Sequence, residues 1–277
     1  MASVRELPDT ASFGELGRVC RLGLATRGNT GLDPADVLEA IRRGVTYLNW
    51  CGYVDGMSAA VRTLGSTRRD VQVAIQLRAH NAADARSELD DALSALGTDY
   101  LDVVTYYYLE DESEWDRIQA PDGAAEVLRD YQSRGLVRMV GVTTHQRALA
   151  AKLAEAAATE ILMIRYNAAH RGAEAEVFPV AQRRGLPVVA YTALRWGALL
   201  TSTPDCSPDV RVPTALECYR FSLSPQAVAV CLAAPNGRAE LEEDLTILDD
   251  WRGLGPSRYE ELRAHGDRVR RHGGSFP

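Results

Sequence analysis

The chain has 277 residues, a formal net charge of −7, and a composition that is 46% apolar and 25% charged. That is ordinary for a soluble globular protein, and the length suits one large α/β unit with a sizeable core. The acidic balance argues against a nucleic-acid-binding face, no apolar run is long enough to span a bilayer, and residues 1–10 hold no apolar signal-peptide core, so a cytoplasmic protein is expected.

In chain order, strand-like runs alternate with helical patterns. A first strand is expected over 19–25 and a helix over 34–43, then a strand over 46–50 and a short helix over 58–64. A strand over 71–77 precedes an amphipathic helix over 83–96, and a strand over 101–107 precedes a helix over 123–134, closed by Gly135. Strand 137–142 pairs with helix 146–157, and strand 161–166 with helix 173–184, capped by Gly185. Strand 187–191 is followed by a helix around 213–221, and strand 227–232 by a helix over 240–248. Residues 253–277 are polar and Arg-rich, and read as a surface helix with a loose end.

Eight strand–helix units imply a parallel sheet closed into a single-domain (β/α)8 TIM barrel spanning residues 1–277. A doubly wound open sheet is the alternative, but no GxGxxG follows the first strand. The five cysteines, Cys20, Cys51, Cys206, Cys218 and Cys231, are odd in number and lack CxxC spacing, so neither a disulfide framework nor a metal site is expected. Lys152 is the only lysine, and it falls in an Ala-rich amphipathic helix where a solvated face is the simplest role. His265 and His272, in the tail, are expected to be solvated, and the acidic runs 90–91 and 242–244 to be exposed helix faces.

Barrels of this kind place their active sites at the C-terminal ends of the strands. That criterion selects Asn49 and Tyr53 after the second strand, Gln76 and His80 after the third, and Tyr106, Tyr107 and Tyr108 at the fourth. It also selects Thr143, Thr144 and His145 after the fifth, Asn167 and His170 after the sixth, and Tyr191, Arg195 and Trp196 after the seventh. His80, His145 and Trp196 are candidates for a substrate pocket.

Four segments then carry a family resemblance. Leu96-Gly97-Thr98-Asp99-Tyr100-Leu101-Asp102 resembles the LGTDYIDL segment of aldo-keto reductases, and residues 135–142 resemble their GKVRYIGVS segment. Residues 188–194 resemble VVAYSPL, and Glu240-Leu241-Glu242-Glu243-Asp244 resembles QLEEN. The family reduces carbonyl compounds with NADPH, using a tyrosine proton donor beside a lysine, an aspartate and a histidine. An adjacent ammonium lets a phenol of pKa about 10 exchange its proton near neutrality.

The resemblance places the aspartate on Asn49, the lysine on Gln76, the histidine on Tyr107 and the tyrosine on Tyr53. Three of the four catalytic groups are therefore replaced. Losing both halves of the ion pair avoids a stranded charge, and the two amides are expected to hydrogen-bond to each other. The residues that would hold the nicotinamide fall on Thr143, Thr144 and Met163, with Tyr191 stacking on its ring. The basic groups for the adenosine phosphate fall on Ala234 and Glu240, with Asn236, Arg238 and Asp244 nearby. NAD(P)H binding is accordingly expected to be weak, and NADPH disfavoured by the Glu240 carboxylate. Three readings stay open: an oxidoreductase with an altered tetrad, a non-redox acid–base enzyme (dehydratase, cyclase or isomerase) using Tyr53, Tyr107 and His145, and a catalytically silent binding or regulatory protein. In each, the expected partner is a small molecule.

Overall fold

The computed structural model describes residues 6–27, 31–207 and 210–273. A short antiparallel hairpin, β1 (Thr10–Ser12) and β2 (Arg18–Cys20), precedes eight parallel strands. These are β3 (Leu22–Ala25), β4 (Tyr47–Asn49), β5 (Gln72–Leu77), β6 (Leu101–Tyr106), β7 (Val137–Thr144), β8 (Ile161–Arg165), β9 (Val188–Tyr191) and β10 (Val228–Ala233). They hydrogen-bond in sequence order, and β10 pairs with β3 to close the barrel.

The helices are α1 (Pro34–Arg42), α2 (Gly56–Thr63), α3 (Ala82–Leu96), α4 (Glu112–Gln119), α5 (Ala124–Ser133), α6 (Arg147–Glu155), α7 (Ala173–Glu176), α8 (Phe178–Arg184), α9 (Ala215–Leu223), α10 (Arg238–Leu245) and α11 (Pro256–His272). Their starts follow local chemistry. Asp33 and Asp36 form a capping box before α1, with Pro34 at its first turn, and Thr214 and Glu217 form another before α9. Gly97 and Gly185 end α3 and α8 in the left-handed conformation.

Strand alternation divides the apolar residues into two sets. Ala25, Tyr47, Ala74, Val103, Met139, Ile161, Met163, Val189 and Tyr191 face the barrel interior, and the hairpin's Phe13, Leu16 and Val19 close its N-terminal end. Outward residues such as Leu48, Val73, Val104, Leu162 and Ala190 pack beneath the helices.

Several expectations are corrected. Residues 19–25 are not one strand: the chain breaks at Arg21, whose guanidinium donates to the carbonyls of Leu223 and Val228, both at 2.7 Å. The helix expected over 173–184 is two, because Pro179 has no N–H to continue the ladder. Helix α4 is not evident from the sequence pattern: of its eight residues only Trp115 and Ile118, three apart, pack against the core, too brief an apolar pattern to mark a helix. The tail is not merely a surface helix. Leu262, His265, Gly266 and Val269 of α11 are buried, and Gly266 sits so close to the Ala168 backbone that a Cβ would not fit. His265, expected in solvent, is 2% exposed and donates from Nε2 to the Leu199 carbonyl at 3.0 Å. Asp244, expected on an exposed face, is buried beneath α10.

Candidate active site

The inward register set by Ala25, Tyr47, Ala74, Val103, Met139 and Met163 continues upward by twos. It brings Asn49, Gln76, Tyr107, Thr143, His145, Arg165 and Tyr191 to the C-terminal mouth. Pairing fixes their heights: Asn49 lies opposite Ala74, Gln76 opposite Thr105, Thr143 opposite Met163, and Arg165 opposite Tyr191.

Two of these positions satisfy each other. The Gln76 Nε2 donates to the Met163 sulfur across the barrel at 3.2 Å. The expected Asn49–Gln76 bond does not form. Asn49 is level with Ala74, and two residues of strand put Gln76 roughly 6.6 Å higher. Asn49 is buried. Tyr53 lies in the loop after β4 with its residue 55% exposed; the Trp50 indole N–H donates to its backbone carbonyl at 2.6 Å. Gly52 takes φ +91° in this loop, a conformation that admits glycine without penalty.

A second group assembles on the other side of the mouth. An Arg165 guanidinium N–H lies 2.8 Å from His145 Nε2, and His145 Nδ1 lies 3.2 Å from a Glu110 carboxylate oxygen. Arginine can only donate, so Nε2 accepts and Nδ1 carries the proton toward Glu110. Burial, and then the Arg165 charge, hold His145 below the ordinary imidazole pKa, with Glu110 opposing. The same two causes, with Arg195 adding, push His170 down to about 4.

Rings line this group. The Tyr108 centroid is 4.1 Å from Tyr107, 4.4 Å from His145 and 6.2 Å from Tyr191. The Arg78 guanidinium carbon stands 5.4 Å from the centre of the Tyr107 ring. Burial raises the pKa of the Tyr108 and Tyr191 phenols. The buried Tyr191 hydroxyl lies within electrostatic reach of Tyr108 without completing a hydrogen bond.

Backbone strain gathers here too. Tyr108 (φ +44°), Thr192 (φ +57°), Arg195 (φ +50°) and Trp196 (φ +52°) occupy the left-handed region in the loops after β6 and β9. Each costs about 1–3 kcal/mol, which surrounding structure must hold in place. Arg195 is buried and donates to the Val269 carbonyl of α11 at 3.1 Å, while Trp196 is 52% exposed at the rim. The Asn167 amide donates to the Thr192 carbonyl at 2.8 Å, and His170 stands 3.3 Å from the Asn167 side-chain oxygen.

The remaining candidates are engaged within the fold. Thr143 donates to Thr105 at 2.9 Å, and Thr144 to the Leu109 carbonyl at 2.5 Å. Glu240 accepts from the Asn236 backbone N–H at 2.8 Å, and Asn236 accepts from Arg27 at 2.7 Å. Arg238 pairs with Asp36 at 3.1 Å and with Glu242 at 2.7 Å. Asp244 accepts the Tyr219 hydroxyl at 3.1 Å, away from the mouth, and burial raises its carboxyl to about 7. Ala234 packs against the interior apolar set. His80 lies in the loop between β5 and α3, half-buried, its carbonyl accepting from Ala124. Lys152 is exposed and pairs with Glu112 at 2.5 Å.

Arg165, Glu110 and Arg78 were not singled out from the sequence. Arg165 was within reach: Ile161, Met163 and Arg165 alternate on one face, so an inward Met163 makes Arg165 the next inward residue.

The model of the Aldo/keto reductase family matches residues 23–241. Solved structures share the fold. The holo form of an aldo-keto reductase from Bacillus halodurans superposes with a TM-score of 0.72 at 16% identity, over 95% of this chain and 96% of that one. An aldo/keto reductase from Klebsiella pneumoniae, in complex with NADP and acetate, gives 0.73 at 19% identity over 94% and 96%. One from Brucella melitensis gives 0.73 at 16% identity over 95% and 100%. No curated protein matches the chain by sequence.

Proposed function

The chain belongs to the aldo/keto reductase family, and from that premise we propose that it binds a small molecule at its barrel mouth without performing the family's NADPH-dependent reduction of simple carbonyl compounds. The observation that carries this reading is the Gln76–Met163 contact. The position that the family resemblance gives to the ammonium, and the position it gives to a nicotinamide-binding amide, hold neutral groups joined to each other. A proton donor at Tyr53 has no cation beside it to stabilise the phenolate left after proton transfer. Arg165 cannot take that part, because an arginine stays charged and its guanidinium faces His145 on the opposite side of the mouth.

The residues also fit NADPH poorly. Glu240, where the resemblance calls for a cation, presents a carboxylate toward the place of a phosphate, and it is fixed there by Asn236. Arg238 already serves Asp36 and Glu242, and Arg27 donates to Asn236.

A second reading, non-redox proton transfer of the dehydratase, cyclase or isomerase kind, is favoured over silent binding by one feature. His145 is oriented by Glu110 among the Tyr107, Tyr108 and Tyr191 phenols. A substrate would have to displace Arg165 from Nε2 before that nitrogen could accept a proton.

Steady-state turnover of 4-nitrobenzaldehyde with NADPH and with NADH tests the proposal. Loss of an electrostatic group of this kind lowers rates by about 100- to 1000-fold, so turnover should be at least that far below an ordinary reductase of the family. Robust turnover that Tyr53→Phe abolishes would return the chain to the carbonyl reductases.

A further inference from the structure

Asn49 ends β4 on the inward face, two residues above Tyr47. Its backbone is fixed from both sides. The Asn49 carbonyl accepts from the Thr26 N–H at 3.1 Å, and the next N–H, that of Trp50, donates to the Ala74 carbonyl at 2.9 Å. The side chain is not held in that way. Asn49 is 4% exposed, yet its amide forms no hydrogen bond with any described residue. Neither amide atom is sealed from solvent, so both reach the mouth. An amide that gives up most of its hydration without pairing is costly, and folded chains carry few of them.

The flanks of Asn49 leave its amide open. It lies in register between Ala25 on β3 and Ala74 on β5, and both turn only a methyl group to the interior. Above Ala74 stands Gln76, whose Nε2 is spent on the Met163 sulfur while its Oε1 meets no described donor. The polar atoms that these two side chains offer are therefore neutral: the Nδ2 donor and Oδ1 acceptor of Asn49, and the Oε1 acceptor of Gln76.

Such a set discriminates between ligands. An asparagine amide presents a donor and an acceptor side by side, and it pairs in two parallel hydrogen bonds with an edge that carries the opposite order, as it does with adenine. A carboxylate turns two acceptors to that edge, and one of them meets Oδ1. An ammonium turns only donors to it and finds no countercharge in either side chain. A neutral amide satisfies both atoms at once.

We propose that Asn49 is the recognition group of a site for a small neutral amide, a lactam or primary carboxamide, whose N–H donates to Oδ1 and whose carbonyl accepts from Nδ2. The proposal rests on the preceding reading of the mouth as a small-molecule site and names the ligand class. Ala25 and Ala74 give the ligand room to approach edge-on, and Gln76 Oε1 stands above as a further neutral acceptor.

Calorimetry with no nicotinamide present compares three flat probes: isoindolin-1-one, a lactam; phthalide, the same ring system with oxygen in place of the N–H; and benzoate. The lactam should bind about tenfold or more tightly than phthalide, which lacks the donor and sets a ring oxygen against Asn49 Oδ1. It should also bind more tightly than benzoate. Asn49→Leu, close in shape and without polar atoms, should keep its circular-dichroism spectrum and bind lactam and phthalide alike. Equal binding of lactam and phthalide to the wild-type protein, tighter binding of benzoate, no binding of the lactam at millimolar concentration, or a lactam preference that survives in Asn49→Leu would each overturn the proposal. If Asn49→Leu fails to fold, the wild-type comparison decides alone. Because nicotinamide is absent, a failure here leaves the reading on carbonyl reduction intact, and rapid aldehyde turnover would sink that reading without touching this one.

Discussion

The two ends of the barrel solve the same problem, charge among strand ends, in opposite ways. At the N-terminal end Asp102 is 1% exposed and fully compensated: Arg68 reaches it at 2.8 Å, Arg138 at 3.1 Å, and the Val73 N–H at 2.9 Å. At the C-terminal end Asn49 and Gln76 stand where the family resemblance places an ion pair, and the cation Arg165 stands elsewhere on the rim. Two of the three floor charges belong to segments that carry the family resemblance, since Asp102 closes residues 96–102 and Arg138 lies within 135–142, whereas Arg68 lies outside them. Two of the four family-like segments therefore supply charges of the stabilising end, whereas residues 188–194 run up to Tyr191 at the mouth. The candidate site sits at the other end, where strand termini can exchange side chains without disturbing the fold.

The largest expected effect breaks the floor. Asp102→Ala should destabilise the protein by about 3–5 kcal/mol in urea unfolding, because it strands Arg68 in a buried place and leaves the Val73 N–H without its acceptor. A loss under 1 kcal/mol would erase the contrast between the two ends.

Asp244 is the control for Asp102: a buried aspartate whose partner is the Tyr219 phenol rather than an arginine. Its folded pKa, about 7, exceeds an unfolded value near 3.9, so the folded state holds the proton more tightly. Its contribution to stability is complete below about pH 4 and is lost as pH rises through 7. Asp244→Asn should flatten that decline, an effect on the order of 2–4 kcal/mol across the window, measured as the urea midpoint against pH. An unchanged slope would show that Asp244 is already ionised in the folded protein.

At the mouth, Gln76→Lys alone should cost about 1–3 kcal/mol by placing an unpaired ammonium in a half-buried site. Adding Asn49→Asp should recover part of that loss, a favourable coupling measured by the double-mutant cycle. Strict additivity would mean the two positions no longer communicate. The smallest effect is Lys152→Ala. The exposed pair with Glu112 should contribute no more than about 0.5 kcal/mol, and ligand binding should not change.

Most of the barrel was legible because the alternation of strand and helix is local. The mouth residues Asn49, Gln76, Tyr107 and Thr143 followed from the rule that strands end there. What escaped depends on features that local pattern hides. The break at Arg21 is set by carbonyls of Leu223 and Val228, some 200 residues away in sequence. The Gln76–Met163 contact crosses the barrel, and no strand-by-strand reading yields it. Arg165 escapes a reading by family position, which stops at Met163, although the period of two leads from one to the other. His265 was read as tail, yet Leu262, His265 and Val269 share one helical face, a spacing that marked α11 as docked.

The central claim is that the mouth has exchanged the groups for carbonyl reduction and phosphate recognition for a different charge arrangement. Calorimetric titration of NADPH and NADH into the wild-type protein tests it most directly. The account predicts that NADPH binds no more tightly than NADH, and that neither reaches submicromolar affinity, because the family resemblance puts the Glu240 carboxylate where a 2′-phosphate would be held and Gln76 is bonded to Met163. Submicromolar NADPH binding, weakened by removing the 2′-phosphate, would contradict it.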